Sequence, residues 1–409
     1  MCRLFFGEPM KGFALGLALS FAATSAATSY ETPRGAGIFV DPHSTTKLAV
    51  AGLEGQAGRD ALLLSRIASA SWFTSGTPEI VEAKVRDLVD RATAAGQIPI
   101  LVAYNIPYRD CALYSAGGAR DGAAYLAWMK GFAAGLGERQ AIVVLEPDGL
   151  GIIPWHRTLD GKVEHCRPSG QDNRAADARY EQLRGAVAIL AALSNVRVYL
   201  DGTGSSWLAP GEAANRLIKA DVTRTAGFFL NVSNFESDER VVPYARWVSD
   251  CIALVTRGGI DARACPSQYA PADFKDHRTW GATDAAFDRL FAKAGLRRDP
   301  VSQKHAVIDT SRNGRGSWEP PVGKYPDAEV WCNPPDRGLG RRPTLETGDR
   351  YVDAFLWIKI PGESDGQCHR GRGGAADPER GLTAPPAGSW FPEQARELIE
   401  FANPPISED

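Results

Sequence analysis

Apolar, β-branched runs that each surface in a cluster of polar residues, and then give way to a loop and an amphipathic helix, recur seven times along this chain. The runs are GIFVDP from Gly37, IPILVAYNIP from Ile98, AIVVLEPDG from Ala141, VRVYLDGTG from Val196, AGFFLNVSN from Ala226, HAVIDTSRNG from His305 and AFLWIKIPGESDG from Ala354. A strand that is apolar along its whole length is covered on both faces, which means a parallel sheet. The segments between the runs read as helices. Thr77, Pro78 and Glu79 supply a cap, a first-turn proline and an early acid, and Val81, Val85, Leu88, Val89 and Ala92 then share one face. Tyr180, Leu183, Val187 and Leu190 repeat the pattern. Strand and helix in alternation give an α/β domain, as an open sheet or a closed barrel. The first run exits as FVDPHS without a glycine-rich phosphate loop, so a nucleotide fold loses ground.

The polar residues favour a barrel. Asp41, Tyr104, Asn105, Glu146, Asp148, Asp201, Asn231, Asn234, Asp309, Lys359, Glu363 and Asp365 all follow the apolar runs. In a barrel those strand ends surround one mouth, where barrel enzymes keep their sites. Pro147 stops the third run and delivers Asp148 to that mouth. Glu146 is either a supporting hydrogen-bond acceptor there or an outward neighbour.

Composition narrows the ligand. The 409 residues carry a net charge of -3 with lysine and arginine dispersed, so no nucleic-acid partner is expected, and ten tryptophans fit a neutral, hydroxyl-rich ligand. Lys11, the apolar run 12–23 and the small residues Ser25 and Ala27 read as a secretory signal peptide over residues 1–27. That run is too short to span a bilayer. A single domain over 28–409, extracellular and free of the membrane, is the expectation. Of the seven cysteines, Cys2 lies in the leader, and the six that remain suit a disulfide framework. The chain has no CxxC or HExxH pattern and its six histidines are scattered, so neither metal nor cofactor is expected.

Three aspartates carry the chemistry: Asp110 in NIPYRDC, Asp148 in LEPDG and Asp365 in PGESDG, with Trp72, Trp207 and Trp331 in polar settings. One aspartate at a strand exit is most simply a helix cap. Three beside tight turns, with aromatic platforms, suit hydrolysis of a glycosidic bond: one carboxylic acid protonates the leaving oxygen and another serves the water or the developing charge. Trp128, Trp247 and Trp357 fall in helix or strand patterns and read as core.

Over residues 37–403 the chain resembles glycoside hydrolase family 6, the inverting cellulases, in YNIPYRDC, VVLEPDGLG, YLDGTGSSW, DTSRNG, WCNPPDRGLG and DAFLWIKIPGESDG. The resemblance implies a distorted TIM-like barrel of seven parallel strands with outer helices, and a β-1,4-glucan substrate. It implies that Asp148 is the general acid and that Asp110 keeps it protonated, since two close carboxylates do not both ionise cheaply. Asp365 resembles the candidate base, Ser115 a holder of the water chain, and Tyr104 the tyrosine pressed on a distorted sugar. Lys359 and Glu363 resemble sugar contacts, and Trp72, Trp207 and Trp331 subsite platforms; Asp201 and Asn231 are counted among the substrate-binding residues. Asp309 and Arg312 read as structural or supporting pairs. Family members commonly carry a histidine where this chain has Gly204, so that contact is either lost or supplied by Ser205 or Ser206.

The family also implies the disulfides Cys111–Cys166 and Cys332–Cys368, while Cys251–Cys265 follows from even-number arithmetic. No linker or cellulose-binding module is legible, so a monomeric catalytic domain acting alone is expected. The loop CALYSAGGARDG is short, and QCHRGRGGAADPERGLTAPPAGSW is glycine- and proline-rich, which reads as an open, mobile flank and as endo cutting. The alternatives are a cellobiohydrolase and a non-catalytic glucan-binding protein.

Overall fold

The computed structural model describes residues 37–407 together with Met1, so the leader read over 1–27 lies outside the described residues. The strands are β1 Ser71–Phe73, β2 Ile100–Ala103, β3 Ala141–Leu145, β4 Val196–Asp201, β5 Gly227–Leu230, β6 His305–Asp309 and β7 Val352–Leu356. They pair in chain order, every neighbour parallel, as one curled seven-stranded half-barrel. Its two edges meet where the Ala70 N–H donates to the Trp357 carbonyl at 2.9 Å and Trp72 Nε1 to the Ile358 carbonyl at 2.8 Å.

One member of the expected set is different. The run from Gly37 forms a single bridge, Ile38 to Ile98, before Asp41 and Pro42 turn it away. The first strand is instead Ser71–Phe73, whose three residues are too few to show a period in the sequence.

The helices are α1 Thr45–Val50, α2 Gly55–Leu64, α3 Pro78–Ala94, α4 Gly122–Leu136, α5 Arg174–Leu190, α6 Pro210–Lys219, α7 Asp238–Gly258, α8 Gly281–Lys293 and α9 Pro392–Glu400. Thr77 Oγ1 caps α3 by accepting from the Ile80 N–H at 3.4 Å, and Val81, Val85, Leu88, Val89 and Ala92 are all buried. Two glycines let α4 lie hard against α3, since a Cβ at Gly131 would sit 2.2 Å from the Pro78 carbonyl oxygen.

Alternation along each strand divides the core. Leu101, Val143, Leu200, Phe228 and Ile308 pack under the helices, while Val102, Val144, Tyr199, Phe229 and Val307 fill the barrel interior. Trp128, Trp247 and Trp357 are buried, as their pattern implied. Cys111–Cys166, Cys251–Cys265 and Cys332–Cys368 are bonded. Among the described residues no helix is long and apolar enough to cross a membrane.

Candidate active site

The C-terminal ends of the strands enclose a cleft of about 660 Å³. Trp72, Tyr104, Asp110, Ser115, Asp148, Trp207, Trp331, Lys359, Glu363 and Asp365 all line it, so residues from six of the strands and the loops after them converge on one site.

The turn after β3 explains how. Glu146 and Asp148 have φ of 55° and 62°, the left-handed region, on either side of Pro147. The two side chains part. The Glu146 carboxylate is fully buried and accepts the N–H groups of Asn105 and Ile106 at 3.0 Å, tying the β3 exit to the β2 exit. Its place is therefore that of a structural acceptor, with burial pushing its pKa to about 7 against those amides. Asp148 faces the cleft and accepts from the Tyr104 hydroxyl at 3.1 Å. Burial first, and then the charges of Asp110 and Asp201, push its pKa to about 8. A carboxyl in that state keeps its proton at neutral pH.

Asp110 sits on the loop after β2, where it accepts the Ser115 N–H at 2.7 Å, and burial raises its pKa despite that bond. Arg109 holds the loop down: Nη1 donates to the carbonyls of Thr74 and Tyr104 at 2.9 and 2.7 Å, and Nε to that of Ser115 at 2.8 Å. The guanidinium also lies 4.7 Å from the Tyr104 ring. Sequence reading passed over Arg109, though its place beside Asp110 in YRDC was a signal.

Asp365 has the opposite electrostatics. Burial would raise its pKa, but Arg312 Nη1 at 2.7 Å and Lys359 Nζ at 3.4 Å outweigh it and hold the carboxyl below its usual range. Arg312 thus serves Asp365, while Asp309 accepts the backbone N–H groups of Ser233, Ser311, Ile358 and Lys359. Lys359 Nζ also donates to the Ser364 carbonyl, and Glu363 accepts from Thr45 Oγ1.

Two expected sugar contacts are not brought to the cleft lining. Asp201 accepts the N–H groups of Leu150, Gly151 and Thr203, fixing the β3 turn from below. Asn231 is fully buried and bonded to the backbone of Glu236 and Asp309. Of the two serines after Gly204, Ser205 is buried and Ser206 lines the cleft. Asn234, one of the strand-end polar residues, lines it as well, and so do Tyr114 and His165, to which no motif pointed.

The two flanking segments are more ordered than their composition suggested. Tyr114 donates to Glu329 Oε1 at 2.8 Å, its ring lies 5.7 Å from that of Trp331, and a Cβ at Gly366 would come within 2.6 Å of it. The loop after β2 therefore docks on the segments around β7. The region 369–390, expected to be open and mobile, is folded down by two arginines. Arg370, fully buried, holds Asp377 and the carbonyls of Ala328 and Glu329, and Arg380 holds Glu397 and the carbonyls of Asn333 and Pro334. Among the described residues no group of three or more His, Cys, Asp or Glu is placed to hold a metal ion.

The family model for glycosyl hydrolases family 6 matches residues 34–402. The chain belongs to glycosyl hydrolase family 6. It is similar to "Endoglucanase A" of Thermobispora bispora, at 33% identity over 94% of this chain and 66% of that protein. "Endoglucanase 1" of Streptomyces halstedii is 32% identical over 94% of this chain and 95% of its own. The chain spans 61% of "Endoglucanase A" of Cellulomonas fimi, at 30% identity. "Probable 1,4-beta-D-glucan cellobiohydrolase C" of Aspergillus niger is 27% identical over 90% of this chain and 76% of that protein. Among solved structures, the family 6 endoglucanase of Mycobacterium tuberculosis, in complex with a methyl-cellobiosyl-4-deoxy-4-thio-β-D-cellobioside, superposes with a TM-score of 0.64 at 29% identity, covering 90% of this chain and 97% of that one. The cleft described above is thus the candidate active site of a family 6 fold.

Proposed function

We propose that this protein is a secreted endo-β-1,4-glucanase that hydrolyses internal bonds of cellulose or a related glucan with inversion. The observation that carries the reading is the asymmetry of the carboxyls: Asp148, half-buried at the cleft wall and pushed to about 8, keeps its proton, while Asp365, gripped by two cations, loses it. Asp148 then protonates the leaving oxygen as the glycosidic bond breaks. Water attacks the opposite face of the sugar, and its proton passes to Asp365, whose charge also favours the positive sugar ring of the transition state. Asp110 keeps Asp148 neutral until the proton is needed, and with Ser115 holds the water chain. Tyr104 bears on the distorted sugar, Lys359 and Glu363 bond its hydroxyls, and Trp72, Trp207 and Trp331 stack on C–H faces. Three disulfides suit an oxidising, extracellular setting.

Endo action is supported by four relatives at 30–33% identity that are named endoglucanases; at 27–28% identity the names are mixed, one a putative endoglucanase and the others cellobiohydrolases. The second reading, a cellobiohydrolase, is favoured by one observation, the docking of Tyr114 on Glu329, because a roofed site threads a chain end. Viscosity of carboxymethyl cellulose against reducing ends released separates the two. An early viscosity drop supports internal cutting; abundant cellobiose at nearly constant viscosity selects the chain-end enzyme. Asp148→Asn should lower turnover by roughly 100- to 10,000-fold with the fold intact. NMR of the first product should find the inverted anomer, and a retained one would end the mechanism. No reducing ends at all from the wild type would leave a glucan-binding protein.

A further inference from the structure

We infer that Asn333 is a positioning residue for Asp365, and that helix α9 reaches the active site through it. This rests on the reading of Asp365 as the ionised partner of Asp148.

Asn333 is fully buried, one residue past Cys332. Its backbone N–H donates to Asp365 Oδ2 at 2.9 Å, and its Oδ1 accepts the Asp365 N–H at 2.8 Å. Its Nδ2 donates to Ser364 Oγ at 3.0 Å and to the Gly366 carbonyl at 2.8 Å. One asparagine therefore grips the turn before, at and after Asp365. Asp365 Oδ2 is shared by Arg312 and the Asn333 N–H, which leaves Oδ1 on the side of Lys359. Without Asn333, only the two cations, Arg312 and Lys359, would set the carboxylate's direction.

The position also explains the residue type. Its φ is 39°, a region where glycine, asparagine and aspartate are most at ease. Aspartate lacks a donor for the Gly366 carbonyl, and glycine lacks both side-chain groups. Asparagine alone among them meets the backbone and the hydrogen-bond demands together. Behind it, Gln394 of α9, itself buried, donates to Asn333 Oδ1 at 2.9 Å. The adjoining Cys332–Cys368 bond closes the same corner. The last helix is thus joined to the site by two amide side chains in series.

Three variants test this: Asn333→Gly, which keeps the backbone and removes the clamp, Asn333→Asp, and Gln394→Leu. Each is measured well below its melting temperature for kcat, KM and the pH profile on a cello-oligosaccharide. Asn333→Gly should lower kcat by about 100-fold with KM little changed, as misplacement of a reacting group does. Asn333→Asp should move the acid limb to higher pH, because a second carboxylate beside Asp365 disfavours its ionised form. Gln394→Leu should lower kcat by a smaller factor in the same direction. A purely structural role would lower melting temperature and leave kcat and the acid limb where they were, and that result in the folded variants overturns the proposal. If neither Asn333 variant folds, the kcat of Gln394→Leu decides it, a wild-type value counting against. A carbon-13 titration of the Asp365 carboxyl in Asn333→Asp and Gln394→Leu reads the same hold without turnover, so an enzyme inactive on every glucan would sink the functional reading and leave this one measurable.

Discussion

At the scale of single residues, the proton on Asp148 depends on where Asp110 stands. Activity should fall as pH rises through about 8, the point at which Asp148 loses its proton. Asp110→Asn removes one of the charges that push Asp148 up, so the alkaline limb of kcat/KM should move to lower pH. A limb that stays fixed would separate the two carboxyls. Gly151 offers a second test. A Cβ there would lie 2.5 Å from the Trp207 ring, so Gly151→Ala must push the platform aside. KM for long cello-oligosaccharides should rise several-fold with kcat nearly kept, since the loss falls on uniform binding. Trp207, Asp148 and Asp365 were legible because each ends or follows a motif. Tyr114 and His165 were not, because their roles come from where a loop folds back.

At the scale of elements, the strand exits are rigid and the flanks are held by buried charge. Arg370 and Asp377 are both fully buried and bonded at 2.7 Å, and the same guanidinium holds the Glu329 carbonyl beneath the Tyr114 contact. Arg370→Met leaves Asp377 buried without its cation, a loss of about 3–5 kcal/mol. The melting temperature should drop and proteolysis should begin within residues 369–390. Cleavage elsewhere first would place the weak point outside this flank. The composition of that segment concealed its order, because a hydrogen-bond hub around one arginine has no period to read. The disulfide Cys111–Cys166 does comparable work for the Asp110 loop, closing a separation of 55 residues, for which chain entropy gives about 4 kcal/mol.

At the scale of the whole molecule, the mouth concentrates carboxyls whose pKa values burial has raised. Asp148 moves from 3.8 to about 8 and Glu146 from 4.5 to about 7, so the folded state binds more protons than the unfolded one across that span. Stability from these groups must fall as pH rises between about 4 and 8. Glu212 moves the other way: burial opposes its charge, but His156, Arg216 and the Leu159 N–H outweigh it and bring it to about 2. Its contribution is present above 4.5 and is lost as pH falls toward 2. The two trends place maximum stability at about pH 4 to 5. Calorimetry from pH 3 to 9 checks it, and a melting temperature that climbs steadily from pH 5 to 8 would contradict it.

By itself the sequence determined the parallel α/β class, six of the seven strands and the polar ring at their ends, while two of the three cysteine pairs came with the family resemblance. The class, the strands and the ring are local facts: apolar runs and turn residues carry them without reference to distant chain, whereas an even number of thiols says that pairs form but not which. Only the tertiary structure decided that Ser71–Phe73, and not the run from Gly37, is the first strand, because a three-residue strand is defined by its partner. It alone placed Arg312 on Asp365, sank Asp201 and Asn231 beneath the cleft, and turned Glu146 away from Asp148. Pairings of that kind depend on which exits face each other across a curled sheet, and that is settled by its curvature and by the loops that fold across it.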